Sequence, residues 1–285
     1  MNKSEKTLSY EFKSFIKRLR IKQKKFYRDL YQSLYLMISA KKNLKYKNKV
    51  DLVQNEFKNI YYDVGPEHGI IHGLEYDGSS THCNQCLFTL ARLLNARNVL
   101  EIGSYHYRTA NQLGRAIDKN IGKNESGNVI TLDIIKGGYD NTIKDEHIWN
   151  HRVKPYFWYA YKTDDTKNLS NLELDNSNME NKDIVKENIK ILNNILKKNK
   201  INFLDLIFLD GDHTYEGLKN DIEIVKNFAT RETLIVVDNI WDKRMLDVKQ
   251  VFDELTHIKW NFKEFNDRHY HKNQVQDTGV FIFNT

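Results

Sequence analysis

The chain has 285 residues, of which 40% are apolar, and this is enough for one large domain or for a domain with an extension. It contains no apolar run near the roughly 20 residues that a membrane-spanning helix needs, and its N-terminus lacks the apolar core of a signal peptide, so we expect a cytoplasmic protein. The net charge is +6, but residues 1–60 alone hold 16 Lys and Arg against 5 Asp and Glu, so the rest of the chain is acidic and a nucleic-acid-binding catalytic domain is not expected.

Residues 1–60 show the spacing of amphipathic helices with a basic face, because apolar side chains recur every three or four positions. The apolar positions are Phe12, Phe15, Ile16, Leu19, Phe26, Leu30, Leu34 and Met37. Packing on the main domain, or on a second subunit of a homo-oligomer, is the favoured interpretation. The alternative is contact with an anionic membrane surface or an anionic glycan. No nucleic-acid partner is expected, since no recognisable module accompanies the charge.

A Gly-rich stretch at residues 61–80 leads into the main domain and is placed to fold over it as a lid. We therefore divide the chain into a basic helical extension with its connector, residues 1–76, and a main domain, residues 77–285.

The next segment carries the two cysteines, Cys83 and Cys86. A zinc site would need two further ligands, for which His82, His72 or His68 could be proposed, and the pair alone is weak evidence for a redox site. We interpret both cysteines as small buried or half-buried residues of a helix.

Strands alternate with helices along the main domain. The predicted elements are a helix at 81–94, a strand at 99–102, a helix at 108–118, strands at 129–132 and within 156–161, a helix at 183–199, strands at 204–209 and 234–237 with a helix between them, a helix near 243–255, and closing strands at 259–265 and 279–283. This alternation predicts a doubly wound, Rossmann-like α/β sheet that is mostly parallel. The closing pair predicts an antiparallel edge.

The first strand of the main domain ends in a glycine turn, Gly103-Ser104, and the next strand ends at Asp133. A glycine there lets the backbone approach a ligand and aims a helix N-terminus at it. An acid at the end of the next strand can accept hydrogen bonds from ribose hydroxyls. The order strand, glycine, helix, strand, acid therefore indicates a nucleotide-type cofactor.

Two later strands end in polar side chains that parallel strand order brings to one edge. Asp210 and His213 follow one strand, and Asp238 and Asn239 follow the other. Oxygen ligands with a histidine beside them indicate a divalent cation and a general base. The alternative is that Asp210, Asp212 and His213 only begin a helix, and for Asp212 we favour such a capping role.

These motifs resemble those of the class I S-adenosylmethionine-dependent methyltransferases. Within that class the chain resembles the metal-dependent sugar O-methyltransferases of the macrocin O-methyltransferase type and the cephalosporin-hydroxylase-like proteins, over residues 77–285. The segments that carry the resemblance are Glu101-Ile-Gly-Ser104, Asp210-Gly-Asp-His213-x-Tyr215-Glu-Gly217 and Asp238-Asn-Ile-Trp241. The catechol-type O-methyltransferases usually lack the histidine, so His213 favours the sugar-modifying group.

The resemblance implies a role for each site residue. The methionine part of S-adenosylmethionine would lie at Glu101, Gly103 and Ser104, its ribose at Asp133, and its adenine near Asp164 or Asp165. Asp210, Asp238 and Asn239 would hold the cation, expected to be Mg²⁺, and His213 with Asp210 would be catalytic. The implied activity is metal-assisted O-methylation of a sugar, a nucleotide sugar or a polysaccharide. The alternatives are methylation of a phenol or another small acceptor, and a catalytically silent module that binds a glycan or a partner.

Two features depart from the family pattern. Tyr107 stands where family members usually have a second glycine, so its side chain either points away from the turn, alters the pose of the cofactor or prevents binding. The distance from Glu101 to Asp133 is also long, and residues 122–128 form an apparent inserted loop that explains it.

Overall fold

The structure, a computed structural model, describes residues 46–64, 81–105, 107–135, 148, 150–169, 172–262 and 278–284. The predicted helices before residue 46 and residues 65–80 of the predicted lid lie outside these ranges, whereas residues 61–64 of that stretch are the end of a helix. The predicted division at residue 76 stays a prediction. Within the described part of the chain, no helix is both long and apolar enough to span a bilayer.

Six helices and one seven-stranded sheet are formed by the described residues. The helices are α1 (Lys49–Val64), α2 (Thr81–Leu93), α3 (Arg108–Ile121), α4 (Asn181–Lys198), α5 (Tyr215–Lys226) and α6 (Leu246–Glu254). The strands are β1 (Asn98–Ile102), β2 (Asn128–Asp133), β3 (Val153–Phe157), β4 (Leu206–Leu209), β5 (Leu234–Val237), β6 (Ile258–Asn261) and β7 (Gly279–Ile282).

The strand order is β3-β2-β1-β4-β5-β7-β6, and the first five strands are parallel. Strand β7 lies between β5 and β6 and is antiparallel to both. The prediction of a mostly parallel, doubly wound sheet with an antiparallel edge is confirmed. The order reverses between β1 and β4, and ligands of such sheets bind outside the carboxyl ends of the strands at this point.

The sheet is covered on both faces because successive strand residues point to opposite sides. In β1, Val99 belongs to one buried cluster and Leu100 to the other. The first cluster contains residues of α1, α2 and α3, and the second contains residues of α4, α5 and α6. Parallel strands that are buried on both faces read as continuous apolar runs, which is why β1, β2, β4 and β5 were recognisable in the sequence.

Strand β3 lies earlier than predicted, at Val153–Phe157 rather than within 156–161. It is the edge strand of the sheet and includes Lys154 and Pro155, whose types are depleted in central strands. The aromatic residues that suggested a strand follow it instead, and Trp158 and Tyr161 are buried against α4 and α5 in the second cluster. The prediction was wrong because burial of these aromatic residues comes from a connecting segment and not from a strand.

The inserted loop at residues 122–128 is held by one buried arginine. The Arg152 guanidinium donates to the Asp118 carboxylate at 2.6 Å and to the carbonyls of Gly122, Glu125 and Gly127 at 2.8 to 3.0 Å. A planar fork of five donors can satisfy several carbonyls at once, which a lysine cannot do. The extra residues between β1 and β2 therefore form an ordered structure at the end of α3.

Candidate active site

The glycine turn after β1 lies directly against the end of β4. Gly103 has a φ of 91°, and a Cβ atom at this position would lie 1.9 Å from the carbonyl oxygen of Asp210. Because only glycine fits both the conformation and the space, the sequence brings two predicted functional segments into backbone contact. This contact is at the switch point of the sheet, between β1 and β4.

The Asp133 carboxylate fixes the shape of this turn. One oxygen accepts hydrogen bonds from the backbone N–H groups of Ser104 and Tyr105 at 3.0 and 2.9 Å, and the other accepts from those of Ile134 and Ile135 at 2.7 and 3.3 Å. Burial raises the pKa of Asp133, and these four N–H groups oppose that effect only in part. The predicted contact between Asp133 and a ribose stays a prediction, and the observed role is to order the turn.

Glu101 is fully buried beside the same turn, with 0% of its surface exposed. The hydroxyl of Thr131 donates to its Oε2 atom, whereas its Oε1 atom has no hydrogen-bond partner among the described residues. Burial raises the pKa of Glu101 to about 8, the Thr131 hydrogen bond lowers it, and the charges of Asp210 and Asp133 raise it further. An unsatisfied buried acceptor next to a tight glycine turn fits a ligand that brings a hydrogen-bond donor, such as the ammonium group in the methionine part of S-adenosylmethionine.

Tyr107 does not fill the turn. It adopts a left-handed backbone conformation with a φ of 57° at the start of α3, which is the conformation a glycine would supply more easily. Its side chain is only 3% exposed and belongs to the cluster formed with α2 and α3. Of the three outcomes considered for this residue, the structure shows the first, in which the side chain points away from the turn.

Three predicted residues meet at the carboxyl ends of β4 and β5. The His213 Nε2 atom lies 3.3 Å from the Asp210 Oδ1 atom, and the Asn239 Nδ2 atom lies 3.2 Å from both. Asn239 has a φ of 59°, a left-handed conformation that asparagine tolerates better than most residues. The side chains of His213 and Asp210 are 29% and 16% exposed, so the cluster is reachable from solvent.

The environment of His213 favours its protonated form. Burial alone would lower the pKa of its imidazole, but the hydrogen bond to Asp210 and the charges of Asp210, Asp165 and Asp238 outweigh burial and raise the pKa. The backbone N–H of His213 donates to the Asp165 carboxylate at 3.0 Å. The residue is therefore held by its backbone and its ring in a strongly acidic site.

Asp212 supports the start of α5, as favoured from the sequence. Its Oδ1 atom accepts from the backbone N–H and the hydroxyl of Thr214 at 2.9 and 2.7 Å. Thr214 is the N-cap of the helix and accepts from the backbone N–H of Gly217 at 3.1 Å. A Cβ atom at Gly217 would lie 2.2 Å from the Asp212 Cγ atom, so this glycine is needed for close packing and not for flexibility.

Asp238 is buried immediately before Asn239, and burial together with the charge of Asp238 raises the pKa of the Cys83 thiol. No group of three or more His, Cys, Asp or Glu side chains in the described part of the chain is arranged to hold a metal ion. Asn239 presents its amide nitrogen to Asp210 and His213. A half-turn of that amide would place its oxygen there, and carboxylate and amide oxygens are ligands that Mg²⁺ accepts, so the donor types fit a cation.

The two candidate adenine residues differ in position. Asp164 is 86% exposed and pairs with Lys167 at 2.9 Å, so the structure does not bring it to the site. Asp165 contacts the site through its hydrogen bond with the backbone of His213. The choice between the two was open in the sequence, and their adenine role stays a prediction.

Two neighbours of the site were not recognised in the sequence. Burial and the charge of Asp238 raise the pKa of the Cys83 thiol in α2, and Asp221 of α5 accepts a hydrogen bond from the Tyr161 hydroxyl at 2.8 Å. Burial raises the pKa of Asp221 to about 8, although the Tyr161 hydrogen bond lowers it. The sequence carries no local signal for either interaction, since each joins segments that only the strand order brings together.

Residues 100–240 match the family model described as a methyltransferase domain. No curated protein matches the chain. Among solved structures, the O-methyltransferase TomG from Streptomyces achromogenes, involved in tomaymycin synthesis and solved with S-adenosylmethionine, is 16% identical, with 73% of this chain and 82% of that chain covered and a TM-score of 0.44. An O-methyltransferase from Bacillus cereus, solved with S-adenosylhomocysteine, is 15% identical, with 80% and 89% covered and a TM-score of 0.42.

Similarity at this level does not transfer the ligands of those two proteins to this chain. The family match lies on the part of the chain that contains the glycine turn, Asp210, His213 and Asn239. It also covers the five parallel strands of the sheet almost completely. Residues 100–240 are therefore similar to a methyltransferase domain, and they contain most of the parallel sheet and the site described above.

Proposed function

We propose that the protein transfers a methyl group from S-adenosylmethionine to a hydroxyl group of a sugar, a nucleotide sugar or a polysaccharide, with His213 as the general base. One observation carries the proposal. His213, Asp210 and Asn239 converge within 3.3 Å, and the backbone of Asp210 lies against the Gly103 turn. A base and a cofactor turn that meet at the switch point are arranged for transfer between two bound molecules.

His213 would remove the proton from the attacking hydroxyl. Its Nε2 atom faces Asp210, so in the neutral ring a proton shared between these atoms leaves Nδ1 as the basic nitrogen. Asp210 then stabilises the imidazolium that forms. A positioned base of this kind typically contributes about 10²–10⁴-fold to the rate.

The turn would orient the methyl donor. When bound, S-adenosylmethionine supplies a methyl group on a positively charged sulfur and leaves as S-adenosylhomocysteine. Gly103 gives the backbone access, and the Glu101 Oε1 atom offers an unsatisfied acceptor for its ammonium group. Tyr107 packs in the core and leaves the turn open, which favours catalysis over a silent binding module.

Asp210, Asp238 and Asn239 would hold a divalent cation, expected to be Mg²⁺. Such an ion supplies positive charge that stabilises the alkoxide as it develops on the acceptor. The oxygen-rich donor types support this part of the proposal. The sugar acceptor is supported by the position of His213 in the Asp-Gly-Asp-His motif.

The first test is calorimetric titration of the protein with S-adenosylhomocysteine in the presence of Mg²⁺, followed by turnover assays on sugar and phenolic acceptors. We expect one-to-one binding and methylation of a sugar. His213→Gln should lower turnover by about 10²–10⁴-fold without weakening cofactor binding. His151→Gln, at a half-exposed histidine, is the control. Absence of cofactor binding would overturn the proposal, and turnover confined to phenols would reassign the acceptor.

A further inference from the structure

The segment that follows β3, residues 158–166, is fixed to two helices, and we call it the β3 connector. The Asn188 side chain of α4 is 0% exposed; it accepts from the backbone N–H of Tyr159 at 2.8 Å and donates to the Tyr159 carbonyl at 2.9 Å. Further along, the buried Tyr161 hydroxyl donates to the Asp221 carboxylate of α5 at 2.8 Å. The connector is therefore anchored before it reaches the candidate site.

The anchored connector holds two successive residues of the loop between β4 and α5. The Thr163 hydroxyl donates to the Asp212 Oδ2 atom at 2.5 Å, and the Asp165 Oδ2 atom accepts from the backbone N–H of His213 at 3.0 Å. The other oxygen of Asp212 accepts from Thr214 at the start of α5. The loop that carries the proposed base is thus tied to the helix on one side and to the connector on the other.

Asp165 acts on the backbone of His213, whereas Asp210 acts on its ring. Because the backbone conformation decides which side-chain rotamers are allowed, a fixed backbone narrows the positions that the imidazole can take. The ring Nε2 atom lies 3.3 Å from the Asp210 Oδ1 atom, and a displacement of about 1 Å in a reacting group can cost on the order of 10²-fold in rate. A carboxylate suits this task, since hydrogen bonds to a charged acceptor are stronger than those between neutral groups.

We propose that Asp165 is a positioning residue, whose carboxylate fixes the backbone of His213 and thereby keeps the imidazole directed at Asp210. The inference rests on the proposed function in one respect, namely that His213 is the general base. The bond with His213 gives Asp165 a role that needs no cofactor, in place of the contact with adenine that the resemblance implies. Positioning affects the rate of transfer, whereas contact with adenine affects the affinity for the cofactor, so the two roles can be separated.

The contact itself can be tested in the protein without any ligand. Labelling with ¹⁵N-histidine gives backbone amide signals for the 10 histidines, and His213→Gln identifies the signal of His213. Asp165→Ala should speed the exchange of this amide proton with water by about tenfold or more, the factor that corresponds to one lost hydrogen bond to a charged acceptor. Asp165→Asn keeps an acceptor oxygen, so its exchange should stay near that of the unmodified protein.

Asp175→Ala is the matched control. Asp175 is also exposed and accepts from a backbone N–H, that of Ser177, at 2.8 Å in the segment before α4. Its removal should leave exchange at His213 unchanged. Equal exchange at His213 in Asp165→Ala and the unmodified protein would overturn the proposal. An equal increase in both Ala variants would do the same, because it would indicate general loosening of the fold.

Turnover tests the consequence for catalysis. Asp165→Ala should lower kcat by about tenfold or more and leave the affinity for S-adenosylhomocysteine unchanged, and Asp165→Asn should recover most of the loss. Weaker binding of S-adenosylhomocysteine with a normal kcat at saturating cofactor would assign Asp165 to adenine and contradict the positioning role. If His213→Gln keeps full turnover, the proposed function fails, and amide exchange alone decides whether Asp165 holds His213.

Discussion

At the scale of single residues, two glycines share a positive φ but differ in the room that their surroundings leave for a side chain. Gly103 and Gly122 have φ values of 91° and 79°. An added Cβ atom would meet the Asp210 carbonyl at Gly103, whereas it would meet nothing within 4 Å at Gly122. Gly103 is therefore required both for its backbone conformation and for the lack of space, whereas Gly122 is favoured for its conformation alone.

We expect Gly103→Ala to abolish binding of S-adenosylhomocysteine and to destabilise the protein more than Gly122→Ala does. The conformational cost at Gly122 should be about 1–3 kcal/mol, and Gly103 adds displacement of the Asp210 backbone to a similar cost. Denaturant unfolding measures the loss of stability, and calorimetry measures the loss of S-adenosylhomocysteine binding. Normal cofactor affinity in Gly103→Ala would show that the turn is not the binding element.

Glu101 should make stability depend on pH. Its pKa is about 8 in the folded protein, against an ordinary value of 4.5. Between these values the folded state keeps a proton that the unfolded state has lost, so the free energy of unfolding falls as the pH rises through that window. Glu101→Gln cannot ionise and should remove this part of the slope, a difference on the order of a few kcal/mol.

The measurement is denaturant unfolding from pH 5 to pH 8, in steps of about one unit, because this range lies inside the window of the shift. Glu187→Gln is a suitable control, since Glu187 is at the surface and pairs with the exposed Lys190. The slope of that variant should match the slope of the unmodified protein. A Glu101→Gln protein with an unchanged slope would mean that the carboxyl group is ionised in the fold.

At the scale of elements, the connection between α3 and β2 depends on Arg152. This buried side chain ties the end of α3, through Asp118, to three carbonyls of the inserted loop. The loop is polar and contains two glycines, so its own residues supply little apolar burial. Its order comes mainly from one side chain of the segment that leads into β3.

Arg152→Ala should destabilise the protein by about 3–5 kcal/mol, because it removes the charged partner of Asp118 and the donor of three carbonyls. Arg152→Lys should recover only part of this loss, since an ammonium group cannot reproduce the fork. His151→Ala is the control, as this half-exposed side chain approaches the same carboxylate at 3.8 Å. Thermal and denaturant unfolding would measure all three. Equal effects of the Ala substitutions at 151 and 152 would contradict the proposed clamp.

At the scale of the whole molecule, the sheet should be most stable at its centre. Strands β1, β4 and β5 are fully buried or nearly so and are flanked on both sides by paired strands. Strand β6 is an edge strand, and its Ile258 is 44% exposed. We expect native-state hydrogen exchange to be slowest in β1, β4 and β5 and faster in β6. Protection in β6 that equals or exceeds protection in β1 would contradict this order.

The sequence predicted those parts of the fold that depend on patterns of neighbouring residues. Continuous apolar runs revealed the central strands, and parallel strand ends brought His213, Asp210 and Asn239 together as expected. It failed at β3, where an edge position tolerates Pro155 and burial shifts to the following aromatic segment. It was silent on Asp221, whose hydrogen-bond donor Tyr161 lies in the segment after β3.

The backbone contact between Gly103 and Asp210 has a thermodynamic consequence. The Gly103 turn would bind the methyl donor, and Asp210 would act on the acceptor. Their backbones are in direct contact, with no side chain between them. Any movement of the turn when the methyl donor binds would therefore displace the backbone of Asp210. Linkage then requires the two halves of the cleft to influence each other's occupancy by the same factor, so donor and acceptor should bind cooperatively rather than independently.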